Sequence, residues 1–248
     1  LPSSLPNFKK KFGYGGFMGL RHEKDGTATM VRDDGKSFRK VGPELWDDVA
    51  RLKACDEAGV SVQVLSTVPV MFSYWAKPKD ALYVSQFLND DVARRVQSHP
   101  SRYAGLGTIP MQSSKLSVQE LTRCVKSLGL SGVQIGTNVN GLNLSEKRFF
   151  PIFEAAESLG ASIFIHPWDM MGQDQMQKYW LPWLVGMPAD LSRAICSMIF
   201  GGVFERFPKL RVCFAHGGGS FGCTHGRIQH GFEARPDLCG VDNPKPPR

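Results

Sequence analysis

The stretch from Arg211 to Arg227 constrains the fold more than any other part of the sequence. It begins with a short, mostly apolar run, Arg211–Ala215, which ends at His216 and three consecutive glycines. An apolar run of this length is typical of a buried strand. Glycines let the backbone turn sharply and approach a ligand closely, because they carry no Cβ. The pattern therefore predicts a titratable side chain at the carboxyl end of a buried strand.

A second stretch has the same order of residues. The run 162–165 is mostly apolar, and it ends at His166, which is followed by Pro167 and Trp168. A single histidine after a strand is more often a hydrogen-bonded structural residue than a functional one. Two histidines at two strand ends nevertheless predict one shared site, because α/β barrels build their active sites at the carboxyl ends of parallel strands.

Helical and strand patterns alternate from Pro43 onwards, which predicts a parallel sheet with right-handed crossovers. The predicted strands are 60–66, 103–109, 132–137, 162–166 and 211–215. The predicted helices are 43–58, 80–98, 116–128, 146–159 and 189–200. Both a barrel and a doubly wound sheet fit this alternation. We favour the barrel, because no G-x-G-x-x-G dinucleotide fingerprint follows an early strand.

The length of 248 residues matches a single barrel, and we expect one domain over 1–248. Five predicted strands fall short of eight. We therefore expect an incomplete barrel whose first strand lies before Leu1 and whose last strands lie beyond Arg248. Residues 1–42 are irregular, with extended pieces predicted at 27–32 and 37–41, and we expect a small insertion over the barrel mouth.

Composition narrows the class of protein. The net charge is +7, but the basic residues are scattered and form no stripe interleaved with aromatic residues, so we expect no nucleic-acid partner. No apolar run approaches the roughly 20 residues that span a bilayer, and we expect no membrane partner. Six widely spaced cysteines, without a C-x-x-C pair, predict reduced thiols and a cytosolic protein.

The segment 173–188 is rich in aromatic and large apolar side chains. Core packing is the commoner role of such residues. An exposed patch in this segment would instead indicate a subunit interface.

Six runs of the sequence resemble one family, the aminocarboxymuconate-semialdehyde decarboxylases, which are zinc enzymes of the amidohydrolase superfamily. The resemblance covers almost the whole chain, and its motifs are specific. The runs are FGYGG at 12–16, LSTVPVMFSYWAKP at 65–78, GVQIGT at 132–137, HPWD at 166–169, KYWLPWLVGMP at 178–188 and FAHGGG at 214–219.

The resemblance implies a distorted (β/α)8 TIM barrel of the metal-dependent hydrolase type. It also implies zinc-dependent, non-oxidative decarboxylation of 2-amino-3-carboxymuconate 6-semialdehyde to 2-aminomuconate 6-semialdehyde. This reaction of the kynurenine branch of tryptophan catabolism leads to picolinate and diverts material from quinolinate and NAD synthesis. Such an enzyme is a carboxy-lyase with a small dicarboxylate substrate, and the family implies a homodimer.

The resemblance also assigns roles to four residues. His166 corresponds to a zinc ligand, and His216 to the base that takes a proton from zinc-bound water. Arg39 and Arg227 correspond to residues that hold substrate carboxylates, with Arg227 reaching the site of the partner subunit. Arginine suits this role because its planar guanidinium makes paired bonds to a carboxylate. The family's other zinc ligands, a His-x-His pair and a late Asp, are expected outside this chain.

Two alternatives to the decarboxylase remain open. The chain could be a catalytically inactive form that dimerises with the longer enzyme and modulates it. It could also be another hydrolase or decarboxylase of the amidohydrolase type. Co-purification with the longer enzyme tests the first alternative. The two arginines test the second, since a dicarboxylate substrate requires Arg39 and Arg227.

Overall fold

The structure, a computed structural model, describes residues 1–247. The strands are β1 (Met18–His22), β2 (Ala28–Arg32), β3 (Ser37–Val41), β4 (Gln63–Leu65), β5 (Tyr103–Thr108), β6 (Gly132–Gly136), β7 (Asn138–Val139), β8 (Leu142–Asn143), β9 (Ser162–His166) and β10 (Arg211–Phe214). The helices are α1 (Phe8–Phe12), α2 (Asp48–Glu57), α3 (Pro78–Ser98), α4 (Ser114–Lys126), α5 (Phe150–Leu159), α6 (Met187–Phe200), α7 (Val203–Arg206), α8 (Phe221–Ala234) and α9 (Pro236–Cys239).

Five strands form a parallel sheet in the order β10-β9-β6-β5-β4. Strands that follow one another in this sheet are joined by helical crossovers, as the sequence pattern predicts. Sequential parallel pairing of this kind is the arrangement of a TIM-type barrel, whereas a doubly wound sheet reverses its strand order. The fold is therefore α/β of the TIM-barrel type. In the described part of the chain, β4 and β10 each pair with one parallel neighbour.

The parallel sheet is most deeply buried at the strands whose sequences are most continuously apolar. Val133 and Ile135 on β6 and Ile163 and Ile165 on β9 are each 0% exposed. They lie in one hydrophobic cluster with side chains of α4 and α5. Burying each of these side chains contributes roughly 1.5–3 kcal/mol, so the central strands give this sheet most of its stability.

Element boundaries differ from the predictions at identifiable residues. The strand predicted over 60–66 contracts to β4, and Val60 and Val62 are exposed. The helix predicted over 146–159 begins only at Phe150, after a 3-10 turn over 147–149. It ends at Gly160, whose φ of 62° is the left-handed conformation that glycine adopts at a helix end.

The amino-terminal residues form a second, antiparallel sheet in the order β1-β2-β3. The hairpin between β2 and β3 joins the two predicted extended pieces by a turn at 33–36, and its register shifts between Met30 and Val31. Strand β1 was not predicted from the sequence, because Gly19, Arg21 and His22 interrupt its apolar pattern. Phe8, Phe17 and Met30 pack in a separate hydrophobic cluster beneath this sheet.

Two further features concern the class of protein. No helix within residues 1–247 is long and apolar enough to cross a membrane. All six cysteines are free thiols.

Candidate active site

The two strand-end histidines lie side by side. Strands β9 and β10 pair in parallel with Phe214 opposite Ile165, and Ala215 N donates to Ile165 O over 3.0 Å. This pairing brings the rings of His166 and His216 to a centroid distance of 5.0 Å. The predicted shared location of the two histidines is therefore present in the structure.

The glycines after His216 allow the chain to leave β10 in an unusual direction. His216 has a φ of 51°, and Gly217, Gly218 and Gly219 follow with φ of 64°, 79° and 62°. A Cβ on Gly219 would lie 2.4 Å from Pro188 O, so this position packs directly against the first turn of α6. A left-handed histidine is strained by roughly 1–2 kcal/mol, and the glycine turn holds it there.

His166 has a defined orientation. Its Nδ1 lies 3.0 Å from Pro167 O, and with Nδ1 as the donor, Nε2 is left with a lone pair. Burial lowers the pKa of His166 below its ordinary value, and the neighbouring His216 adds to this shift. The imidazole is therefore held neutral near pH 7, which is the form that binds a metal ion or accepts a proton.

A cavity of about 760 Å³ opens in front of the two histidines. The amino-terminal hairpin, the loop after β9 and the segment before α6 supply most of its walls. The lining residues are Arg32, Asp34, Lys36, Ser37, Phe38, Arg39, Val68, Pro69, His166, Trp168, Trp180, Trp183, Met187 and His216. A cavity of this size suits a small organic molecule.

The hairpin wall of this cavity is cationic. Arg39 on β3 and Arg32 at the end of β2 both line it, and neither side chain makes a hydrogen bond or ion pair among residues 1–247. Lys36 also lines the wall but lies 3.8 Å from Asp34. Arg39 was predicted from the sequence, and Arg32 was not. The only sequence signal for Arg32 was its position at the end of the extended piece predicted over 27–32.

Arg227 lies apart from the cavity. It is exposed on α8 and makes no side-chain hydrogen bond among residues 1–247. The structure thus brings together three of the four predicted site residues, Arg39, His166 and His216, and leaves Arg227 on the surface.

The aromatic segment before α6 is exposed, so core packing does not account for it. Tyr179 is 81% and Trp180 63% exposed, and Trp180 stacks on Trp183 at 5.7 Å. Trp180 and Trp183 also line the cavity. An exposed patch in this segment is the arrangement for which a subunit interface is predicted from the sequence.

The described residues do not form a complete metal site. Catalytic zinc usually has three protein ligands and one open position. No group of three or more His, Cys, Asp or Glu side chains within residues 1–247 is arranged to hold a metal ion. His166 and His216 supply two imidazoles at most, so no step of the chemistry can be derived through a metal from these residues.

Comparisons with known proteins identify the family. Residues 68–240 match the Amidohydrolase family model. The 2-amino-3-carboxymuconate-6-semialdehyde decarboxylase of Dictyostelium discoideum is 58% identical over 100% of this chain and 69% of its own length. The Caenorhabditis elegans protein of the same name is 40% identical over 96% of this chain and 72% of its own length.

Solved structures agree with this family. The 5-carboxyvanillate decarboxylase of Sphingomonas paucimobilis superposes with a TM-score of 0.74 at 27% identity, covering 79% of this chain. The dihydroxybenzoic acid decarboxylase of Polaromonas sp. JS666, solved with manganese and 2-nitroresorcinol, has a TM-score of 0.68 at 25% identity and covers 75% of this chain. This chain spans 60% of each of those two structures. It belongs to the amidohydrolase family, and within that family to the 2-amino-3-carboxymuconate-6-semialdehyde decarboxylases.

Proposed function

We propose that the chain is part of a zinc-dependent decarboxylase that converts 2-amino-3-carboxymuconate 6-semialdehyde to 2-aminomuconate 6-semialdehyde. The observation that carries the proposal is the 58% identity to the Dictyostelium discoideum enzyme over the whole chain. The adjacent histidines and the cationic cavity wall support it independently. Within tryptophan catabolism, this reaction would divert material from quinolinate and NAD synthesis.

The cavity wall suits a dicarboxylate. The guanidinium groups of Arg32 and Arg39 make no direct ion pair within residues 1–247, and Arg32 has the Asp169 carboxyl only at longer range. A free guanidinium in a cavity binds an anion at little cost, because no internal ion pair must first be broken. We assign Arg39 to one substrate carboxylate. The insertion 1–42 would then serve to bring this cation over the barrel mouth.

The histidines suit a proton transfer beside the reacting carbon. Loss of CO2 breaks a carbon–carbon bond, and the electron pair left on the carbon must be protonated. An imidazole can accept and return a proton at neutral pH. We assign this role to His216, and we assign His166 as one ligand of a divalent metal ion, zinc by family resemblance.

The first test is the reaction itself. The native protein should convert the substrate with release of CO2 and lose this activity after chelation. Zinc and manganese should each be added back, since a related structure holds manganese. A metal-replete protein that releases no CO2 from this substrate would overturn the proposal.

Arg39 and Lys40 provide a matched pair of cations on β3. Arg39 lines the cavity, whereas Lys40 pairs with Asp25 at 2.7 Å outside it. Arg39→Ala should raise KM by about 10- to 100-fold, since a charge-assisted hydrogen bond contributes roughly 1.5–3 kcal/mol. Lys40→Ala should leave KM within about twofold, because an exposed ion pair contributes little. Equal effects of the two substitutions on KM would show that Arg39 does not bind the substrate.

We further propose a homodimer in which Arg227 completes the site of the partner subunit. Its exposed position on α8 and the exposed aromatic segment support this arrangement. Assayed well below the native KM, the Arg39→Ala and Arg227→Ala chains should each keep less than about a tenth of native activity, and their mixture should regain about a quarter of it. Half of the dimers would be mixed, and each would have one intact site of two. A mixture with no regained activity would contradict the shared site.

The setting of the proposed enzyme is the cytosol. Six free thiols in one chain are typical of a reducing compartment. Localisation of a tagged full-length protein tests this assignment, and a signal confined to a secretory compartment would contradict it.

A further inference from the structure

Three segments at the carboxyl end of the sheet meet at one buried carboxylate, Asp190. It lies in the first turn of α6 and is 0% exposed. The segments are the end of β6 with the following β7, the loop after β9, and α6 itself. The loop after β9 carries Trp168, and α6 begins at Met187; both of these residues line the cavity.

The Asp190 carboxylate is in contact with all three segments. Its Oδ2 accepts a hydrogen bond from the Thr137 hydroxyl. Its Oδ1 lies 3.4 Å from the backbone N of Met171, in the loop after β9, and 2.7 Å from the Arg193 guanidinium. These contacts satisfy a buried charge that would otherwise be costly. None of the donors is part of the cavity lining.

Asn138 extends the same cluster along the loop. Its Nδ2 lies 3.2 Å from the carbonyl oxygens of both Trp168 and Asp169, and 3.4 Å from Asp190 Oδ2. Its Oδ1 accepts from Gly141 N over 3.0 Å, which fixes the amide orientation. Asp169 has a φ of 54°, so the cluster holds the loop in a strained conformation.

This loop carries two of the cavity side chains. His166 is the last residue of β9, and its Nδ1 contacts Pro167 O, one residue before the carbonyl that Asn138 holds. Trp168 lines the cavity and packs edge-on against Phe38 of the hairpin at 6.0 Å. A shift of the loop would therefore move the imidazole and the indole together.

We propose that Asp190 is a positioning residue that, with Asn138, fixes the loop 167–171 and thereby the orientation of His166 and Trp168 in the cavity. It touches neither the cavity nor the reacting atoms, and it acts only through this loop. The kinetic part of the proposal rests on the proposed function, whereas the structural part stands without it.

Asp190→Asn tests the proposal, because it keeps the shape of the side chain and removes its charge. Glu120→Gln is the control. Glu120 is also 0% exposed and also pairs with an arginine three residues later, but it lies on α4 away from the cavity. Asp190→Asn should lower kcat by about 10- to 100-fold with KM within about threefold, since small misplacements cost this much. Glu120→Gln should keep kcat within about twofold, measured where both variants are folded.

Hydrogen exchange followed by mass spectrometry gives a readout that does not depend on activity. The peptide covering 167–172 should exchange about tenfold faster in Asp190→Asn, because this substitution removes the charge and replaces one of the two acceptor oxygens with an NH2 donor that cannot accept from Thr137 or Asn138. It should exchange at the native rate in Glu120→Gln, because Glu120 does not contact this loop. Native exchange of this peptide in Asp190→Asn would overturn the proposal, as would an equal loss of kcat in both variants. If the native protein releases no CO2, the proposed function fails, and the exchange result still decides the role of Asp190.

Discussion

Helices α4 and α6 each carry a fully buried carboxylate paired with an arginine three residues later. Glu120 contacts Arg123 over 2.8 Å, and Asp190 contacts Arg193 over 2.7 Å. Both carboxylates are 0% exposed, and both arginines are about one-quarter exposed. In the sequence the two pairs have the same spacing, so pattern alone gives them the same role.

The remaining partners of each carboxylate distinguish the two pairs. Glu120 Oε1 accepts from Asn89 of α3 over 2.7 Å, and Asn89 also bonds the backbone of Thr108 at 2.9 and 2.7 Å. This network ties two helices to β5. Asp190 instead bonds the loops at the carboxyl ends of β6 and β9.

One local motif can therefore stabilise the fold or shape the site, according to which groups its other oxygen atoms contact. A carboxylate between helices contributes to stability alone. A carboxylate at the carboxyl ends of parallel strands also sets the geometry of a cavity, because catalytic side chains lie on the loops there.

The largest expected difference between the pairs is in stability. Glu120→Ala should lower the free energy of unfolding by about 4 kcal/mol, because it leaves a buried amide and a bidentate guanidinium without their acceptor. Asp190→Ala should cost about 2 kcal/mol, since two of its contacts are long, at 3.4 Å. Urea denaturation at a common slope measures both values. A larger loss in Asp190→Ala would reverse the comparison.

The strand-end histidines could be predicted from the sequence, because the signal is local. An apolar run followed by His and turn residues fixes both the strand and the place of the side chain at its end. Parallel pairing of β9 with β10 then brings His166 and His216 together without any further information. The alternation of the five parallel strands with the long helices between them was predictable for the same reason.

Asp190 could not be predicted in this way. An acidic residue in the first turn of a helix is ordinarily a favourable partner of the helix dipole and needs no other explanation. Its role depends on Thr137 and Met171, which are 53 and 19 residues away in the chain. Contacts at such separations follow from tertiary packing, which periodicity and spacing do not encode. Arg32 was missed similarly, since only the closed hairpin directs it to the cavity.

The glycine turn after β10 is a second contact between α6 and the site. A Cβ on Gly219 would lie 2.4 Å from Pro188 O, whereas one on Gly217 would meet nothing within 4 Å. Gly219→Ala should therefore destabilise by about 3 kcal/mol, through overpacking added to a positive φ. Gly217→Ala has only the backbone cost of about 1 kcal/mol.

Thermal and urea unfolding of the two glycine variants checks these values. Helix α4 has no such glycine turn. The two glycine variants therefore also test whether α6 contacts the site through Gly219 as well as through Asp190. Equal destabilisation by the two substitutions would show that α6 yields to the added methyl group and is held less firmly than inferred.

Double-mutant cycles should give a smaller difference between the two ion pairs themselves. Arg123 binds Glu120 through two nitrogens, at 2.9 and 2.8 Å. Arg193 contacts Asp190 through one, and its Nε has no hydrogen-bond partner among residues 1–247. We expect coupling energies of about 2 kcal/mol for the α4 pair and about 0.5 kcal/mol for the α6 pair. Equal coupling energies would mean that the two-nitrogen contact of Arg123 adds no stability over the single contact of Arg193.

The smallest effect concerns alkaline pH and again separates the two helices. Cys124 on α4 is 0% exposed, and burial together with the nearby Glu120 raises the pKa of its thiol. Burial also raises the pKa of Cys196 on α6, which is only half-buried and has no carboxylate beside it. The folded state therefore keeps a thiol proton that the unfolded chain releases near pH 8.5, so stability falls as pH rises above that value.

Between pH 8.5 and 9.5, the Cys124 thiol should contribute a loss of about 1 kcal/mol in the free energy of unfolding. Cys124→Ala should remove this part of the pH dependence, and Cys196→Ala should remove less of it. Urea unfolding of the native protein and the two variants at both pH values gives the change in the free energy of unfolding with pH. The stability of each protein at pH 7 serves as its reference. An unchanged slope in Cys124→Ala would mean that the α4 network opens enough to let the thiol ionise in the folded state. The Glu120 pair would then be less rigid than the Asp190 cluster, contrary to the stability order argued for the two carboxylates.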